Sequence, residues 1–211
     1  AQDILQYGET EGYRPLRLAA IDYVKRYGIE NIDIDNTLII SGGQQGIDLT
    51  FKSFVNKGDV VLVEDPTYLA SLHILKTYEG VPVGVKSGDN GLDIKDLEDK
   101  IIKYNPKVLY VVPTFSNPTG RTYSVENRKA IAELTAKYNV MVLEDDPYSE
   151  LRFSGERVPS IKSFDKVGNV TYITSFSKTL APGLRTGIAI GAKEVIRKMT
   201  IGKQAPDVHT C

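Results

Sequence analysis

Val170-Thr171-Tyr172-Ile173-Thr174, running into Ser175-Phe176-Ser177-Lys178-Thr179-Leu180-Ala181-Pro182-Gly183-Leu184-Arg185, is the stretch on which the reading of this chain turns. Its first part is a short β-type run. Its second part holds a lysine with hydroxyls at −3 and −1 and an arginine at +7. Hydroxyls and a guanidinium suit a phosphate, and a lysine beside them can form an imine with a carbonyl. Pyridoxal phosphate needs both. Taken alone, the segment reads as well as a solvated Ser/Lys loop after a strand, so the rest of the chain has to decide.

The same strand-then-polar-turn pattern recurs outward from it. Thr37–Ile40 reads as a buried strand, and Ser41-Gly42-Gly43-Gln44-Gln45-Gly46 leads from it into an apolar helix over about Gln44–Asn56. A strand, a glycine turn and a helix start aim backbone N–H groups at an anion. An ordinary Gly-rich turn is the plainer alternative. Val60–Glu64 is a second strand, ending at Asp65-Pro66-Thr67-Tyr68 before a helix over Leu69–Tyr78. Val81–Val85 is a third, and its Pro82 predicts an edge position. Leu92–Tyr104 reads as a helix capped by Asp93.

Lys107–Val112 is a fourth strand, entering the breaker-rich turn Pro113–Gly120. Ser124 caps a helix to about Tyr138, with Asn127 where a capping box has Glu or Gln. Val140–Leu143 ends at Glu144-Asp145-Asp146-Pro147-Tyr148, and Gly187–Gly191 precedes a last helix over Lys193–Lys203. Upstream, a polar loop over Gln6–Tyr13 leads to a helix from Pro15 to about Tyr27, stopped by Gly28. Leu151–Gly168 is the longest irregular piece and is expected to be a surface excursion. Strands alternating with helices predict an α/β sheet, mostly parallel.

At 211 residues, with 41% hydrophobic and 25% charged residues, the chain suits one large domain or two small ones. A net charge of −1 gives no reason to expect nucleic acid or a membrane as partner. No apolar run is long enough to span a bilayer, and Ala1-Gln2-Asp3-Ile4-Leu5 has no signal-peptide character. Cys211 alone excludes an internal disulfide, and with only His73 and His209 no metal site is expected. His73 reads as structural, while His209 and Cys211 fall at a frayed end without function. A cytoplasmic location is expected. The chain starts without Met and stops just after a helical pattern, so it is expected to be a fragment of a longer polypeptide.

Five polar clusters directly succeed predicted strands: Ser41–Gln44, Tyr68, Asn117, Asp145 with Tyr148, and Ser175–Arg185. In a parallel sheet such loops share one edge. Together they supply phosphate donors, an aromatic to stack on a ring, an acid, hydrogen-bond donors and a lysine. With Gln6-Tyr7-Gly8, Ser41-Gly42-Gly43-Gln44-Gln45, Asp65-Pro66-Thr67-Tyr68, Asn117-Pro118-Thr119-Gly120, Glu144-Asp145-Asp146-Pro147-Tyr148 and Ser175-Phe176-Ser177-Lys178, the chain resembles the large domain of a fold-type I pyridoxal-phosphate-dependent aminotransferase. More narrowly it is similar to the 2-aminoadipate, kynurenine and aromatic amino-acid aminotransferases. These motifs cover nearly the whole chain in family order.

The resemblance implies an α/β three-layer sandwich with a seven-stranded, mostly parallel sheet in the order 3-2-4-5-6-7-1, strand seven antiparallel. It implies an N-terminal segment over 1–13 that reaches the partner subunit of a homodimer, and a cofactor-binding large domain over 14–211. The small domain, with the arginine for the substrate α-carboxylate, is largely absent. The implied activity is a ping-pong exchange of an amino group between an amino acid and a 2-oxo acid through a Schiff base, with pyridoxal phosphate as cofactor. Lys178 takes the place of the Schiff-base lysine, and a cationic neighbour or partial burial is expected to lower its pKa.

Asp145 is implied as the partner of the pyridine nitrogen. Successive strand residues alternate faces, so Asp145 is not expected to share a face with Glu144 or Asp146, both read as ordinary loop polarity. Asn117 and Tyr148 are implied as donors to the phenolic oxygen, and Tyr68 as the stacking ring. Ser175, Ser177, Arg185 and the N–H groups of Gly43 and Gln44 would take the phosphate, joined by Tyr7 from the partner subunit. Gly43 stands where many relatives carry Ser or Ala. Two other readings remain. One is the aminotransferase-like effector domain of a winged-helix transcription regulator, against which Asn117 and the Pro147-Tyr148 pair lean. The other is a lyase or decarboxylase on the same fold.

Overall fold

The alternation of apolar strands and amphipathic helices folds into one mixed sheet in the computed structural model, which describes residues 6–211. The strands are β1 (Thr37–Ile40), β2 (Val60–Asp65), β3 (Val81–Gly88), β4 (Gly91–Leu92), β5 (Val108–Val111), β6 (Met141–Asp145), β7 (Val170–Ser175) and β8 (Gly187–Ile190). Across the sheet they run β1-β8-β7-β6-β5-β2-β3-β4. From β3 to β7 the long strands pair in parallel, and β8 is antiparallel to both β1 and β7. This is the implied order with one strand added.

The addition is β4, which pairs antiparallel with the end of β3. Leu92, expected in a helix, belongs to β4 instead. Asn127 explains this: its Nδ2 donates to the Leu92 carbonyl at 2.8 Å and its Oδ1 accepts from the Leu92 N–H at 3.1 Å. Its side chain therefore serves the sheet edge rather than a capping box. Pro82 lies where β3 pairs only with β2, so the missing N–H leaves no ladder bond unmade.

The helices are α1 (Arg14–Val24), α2 (Gly43–Phe54), α3 (Leu69–Thr77), α4 (Ile94–Tyr104), α5 (Val125–Lys137) and α6 (Lys193–Gln204). Asp93 and Ser124 cap α4 and α5 through backbone N–H groups of the first turn. One apolar cluster joins α2, α3 and α6 to Leu143, Ile173 and Tyr110 on one face of the sheet. The opposite face carries α4 and α5 on Val142 and Leu109, and α1 on Tyr172. The three layers arise from the period of two along each strand. Among the described residues no helix is long and apolar enough to cross a membrane.

Two further expectations are corrected. Phe153–Arg157 are exposed, but Ser160 and Ile161 are buried, and the N–H groups of Ile161 and Lys162 donate to the Glu144 carboxylate at 2.8 and 2.9 Å. The excursion thus dips into the interior, drawn by a buried acid. The segment after α6 is docked rather than frayed: Asp207 Oδ2 accepts from Ser41 Oγ at 2.7 Å and from Gln45 Nε2 at 2.8 Å, and Thr210 is buried.

Candidate active site at the carboxyl edge of the sheet

The carboxyl ends of β2, β5, β6 and β7 meet the start of α2 around a cavity of about 280 Å³. Gly43, Gln44, Tyr68, Asn117, Asp145, Tyr148, Ser175, Ser177, Lys178 and Arg185 all line it, together with Ile47, Val112, Pro147 and Pro182. Tyr7 does not. It is 88% exposed and packs edge-on against His209, ring centres 6.0 Å apart. His73 is exposed on α3.

Glu144 and Asp145 end β6, Asp146 directly follows, and all three are buried. Asp145 lies on the α2 side of the sheet. The Tyr110 hydroxyl donates to its Oδ2 at 2.9 Å, and a Cβ built on Gly43 would lie 3.7 Å from its Oδ1. Among the described residues Oδ1 accepts no hydrogen bond. Burial pushes the carboxyl up to about 7; the Tyr110 bond opposes this, and Asp146 and Glu64 add to it.

Glu144 lies on the opposite face. It accepts from the backbone N–H groups of Ile161 and Lys162, and Arg128 Nη1 stands 3.9 Å away. Burial raises its carboxyl against the pull of Arg128 and those donors. Arg128 itself is buried and ties the Pro113 and Pro159 carbonyls together. Asp146 accepts from Ser149 Oγ at 2.6 and 2.7 Å and from the Tyr172 hydroxyl at 3.1 Å. Glu144 and Asp146 are therefore interior structural acids, not loop polarity. The sequence signal was available: a short polar run that still sits in register with an apolar strand.

Glu64 at the end of β2 accepts from Val112 N–H, Ser116 Oγ and Tyr123 hydroxyl at 2.9, 2.9 and 2.7 Å. These bonds hold the loop that carries Asn117 to the cavity. Burial pushes the Glu64 carboxyl up, and its three donors pull it back. Burial likewise raises the hydroxyl of Tyr68, with the charge of Asp145 adding to it.

The turn before α2 needs its glycine. Gly42 has φ 86°, and a Cβ there would meet Arg185 Nη2 at 2.6 Å. That guanidinium donates to the Ser41 carbonyl at 3.3 Å. The N–H groups of Gly43 and Gln44 in the first turn of α2 have no intrahelical acceptor, and no side chain caps that end. Gly43 has ordinary van der Waals room for a small side chain. Lys178 is exposed and, among the described residues, makes no hydrogen bond or ion pair. The partial burial expected around it is not supplied by these residues.

This donor set fits pyridoxal phosphate. Unmatched N–H groups at a helix start and a guanidinium suit the phosphate, a buried acid with one free oxygen suits a ring N–H, and a lysine opens onto the same cavity. Sequence reasoning missed Tyr110, Glu64 and Asp207. A tyrosine inside an otherwise aliphatic strand was the signal for Tyr110, since a buried phenol needs a partner.

Residues 1–205 match the family described as aminotransferase class I and II. The chain is 42% identical over 216 residues to aromatic-amino-acid aminotransferase 1 of Thermococcus litoralis, covering 100% of this chain and 52% of that protein. The crystal structure of Pyrococcus horikoshii kynurenine aminotransferase, in complex with PMP, superposes with a TM-score of 0.92 at 43% identity, covering 98% of this chain and 52% of that one. An uncharacterized HTH-type transcriptional regulator of Bacillus subtilis, YisV, is 34% identical over 96% of this chain and 42% of its own length. The chain spans about half the length of the curated relatives it matches.

Proposed function

Because the chain belongs to the aminotransferase class I and II family, we propose that this protein holds pyridoxal phosphate in the cavity and exchanges an amino group between an amino acid and a 2-oxo acid. The observation that carries this reading is Asp145, buried with one oxygen turned toward Gly43 and free of donors, in the cavity that Lys178 opens onto. When bound, pyridoxal phosphate supplies an electrophilic carbonyl and an electron-withdrawing ring. Asp145 holds the proton on the ring nitrogen. Lys178 Nζ moves the proton at the substrate Cα. Asn117 and the Tyr148 hydroxyl donate to the phenolic oxygen and fix the ring plane. Tyr68 stacks on the ring, an arrangement worth about 0.5–1.5 kcal/mol beyond area. Arg185, Ser175, Ser177 and the N–H groups of Gly43 and Gln44 hold the phosphate.

The exposed Tyr7 reaches the phosphate of a second subunit, which makes the working form a homodimer. Residues 1–13, of which 1–5 lie outside the described residues, are then the segment assigned to the partner contact, and 14–211 the cofactor-binding domain. The test is direct. The full-length protein is mixed with pyridoxal phosphate, its visible absorbance is recorded, and the complex is reduced with borohydride and mapped by mass. A phosphopyridoxyl group on Lys178, lost in Lys178→Ala, is the expected result; no label on the full-length protein refutes the reading. The likeness to HTH-type regulators supports a second reading, a ligand-sensing domain beside a DNA-binding one. Turnover of an amino-acid and 2-oxo-acid pair selects the first reading. Cofactor binding without turnover, with sequence-specific DNA binding, selects the second.

A further inference from the structure

We infer that Tyr110 is a positioning residue for Asp145: its buried hydroxyl holds Oδ2 inside the protein and leaves Oδ1 facing the cavity as the acceptor for a ring N–H. The inference rests on the proposed binding of pyridoxal phosphate. Tyr110 on β5 is paired with Leu143 on β6, and Asp145 lies two residues further along the same face. The long aromatic side chain spans that diagonal, and its hydroxyl meets Asp145 Oδ2 at 2.9 Å. The ring packs in the apolar cluster beneath α2 and is fully buried. Its hydroxyl makes a single hydrogen bond among the described residues, to Asp145. The other strand residues at this level, Val108, Leu109 and Val111, are aliphatic, so a phenylalanine would serve packing equally well. The hydroxyl is accounted for only by the carboxylate.

The surroundings of Asp145 make this one donor decisive. Glu64 from β2 and Asp146, the residue after β6, bear on it as acids. Tyr68 and Tyr148 share the cavity, as do the cations Lys178 and Arg185, and none of the four is hydrogen-bonded to it. Tyr110 is thus the sole donor to Asp145 among the described residues, and it approaches from the side away from the cavity. A hydrogen bond to the ionised form favours that form and prevents the carboxylate from rotating both oxygens out of line.

The experiment uses the full-length protein and Tyr110→Phe, with two readouts. Without cofactor, the Asp145 carboxyl carbon is followed by 13C NMR against pH, assigned with Asp145→Asn. Its midpoint is expected to move up by about one unit, a tenfold change. Incorporating 3-fluorotyrosine at Tyr110, a stronger donor of nearly equal size, is expected to move it down, which keeps the test alive if Tyr110→Phe folds poorly. Affinity is then compared for pyridoxal phosphate and its 1-deaza analogue, in which CH replaces the ring nitrogen. Tyr110→Phe is expected to lose about tenfold for the first and nothing for the second. An unmoved midpoint, or equal losses for both ligands, overturns the inference and leaves Tyr110 a packing residue. If the wild type binds neither ligand, the functional reading falls and this role with it. If the wild type binds and Tyr110→Phe is indistinguishable from it, only this inference falls.

Discussion

Glu144 and Asp145 are adjacent, chemically alike and almost equally buried, yet they sit in opposite kinds of place. On the α5 side, Glu144 is closed in by two backbone donors and an arginine that itself bridges two loops. On the α2 side, Asp145 has one donor and one open oxygen. Burial therefore does not separate a structural acid from a poised one. The count of donors does, because a buried carboxylate with unmet acceptors is costly unless something else binds there. The first region holds the fold together, and the second is left incomplete toward the cavity.

The comparison breaks if the two regions respond alike to substitution. The largest expected effect is on the cavity side: Lys178→Met in the full-length protein should lower amino-group transfer by about 10⁴-fold. Its denaturation midpoint should stay unchanged, since Lys178 is exposed and unpaired among the described residues. Glu144→Ala should do the reverse. It strands Arg128 in the interior, and breaking such a pair costs about 3–5 kcal/mol, read as a fall in unfolding free energy in urea. Turnover per folded molecule should stay within a few-fold.

Asp145 predicts a pH dependence of intermediate size. Its folded pKa, about 7, lies above the unfolded value of ~3.9. Its contribution to stability is thus fully present below about pH 4 and is lost as pH rises through about 7. Without cofactor, urea unfolding should show the wild type losing on the order of 2–3 kcal/mol more than Asp145→Asn across that window. Equal slopes would show that burial does not raise the Asp145 carboxyl above its unfolded value. The smallest effect belongs to Ser124→Ala, which removes the α5 cap at about 1 kcal/mol and should leave turnover unchanged.

Much of this was legible in the residues. Gly28, Asp93 and Ser124 mark helix ends by local chemistry, and the structure places them as stops and caps. The polar clusters after the strands converge on one cavity because parallel strands share an edge. Asn127 and β4 were not legible. The amide of Asn127 pairs with Leu92, 35 residues away, and no local pattern encodes such a partner. Asp207 was missed for the same reason, since its bonds to Ser41 and Gln45 span the whole domain.

The sequence by itself determined the alternation of strands and helices, the order of the motifs, and the rule that Asp145 cannot share a face with Glu144. Those come from hydrophobic period and backbone geometry, which are local. Only the tertiary structure decided which face became the cavity. The period of two distinguishes two faces but does not label them. The label comes from α2 packing on the Asp145 side, from Tyr110 reaching across from β5, and from Arg128 and the Ile161 turn closing the other. Each is a contact between residues far apart in the chain, fixed when the strands pair.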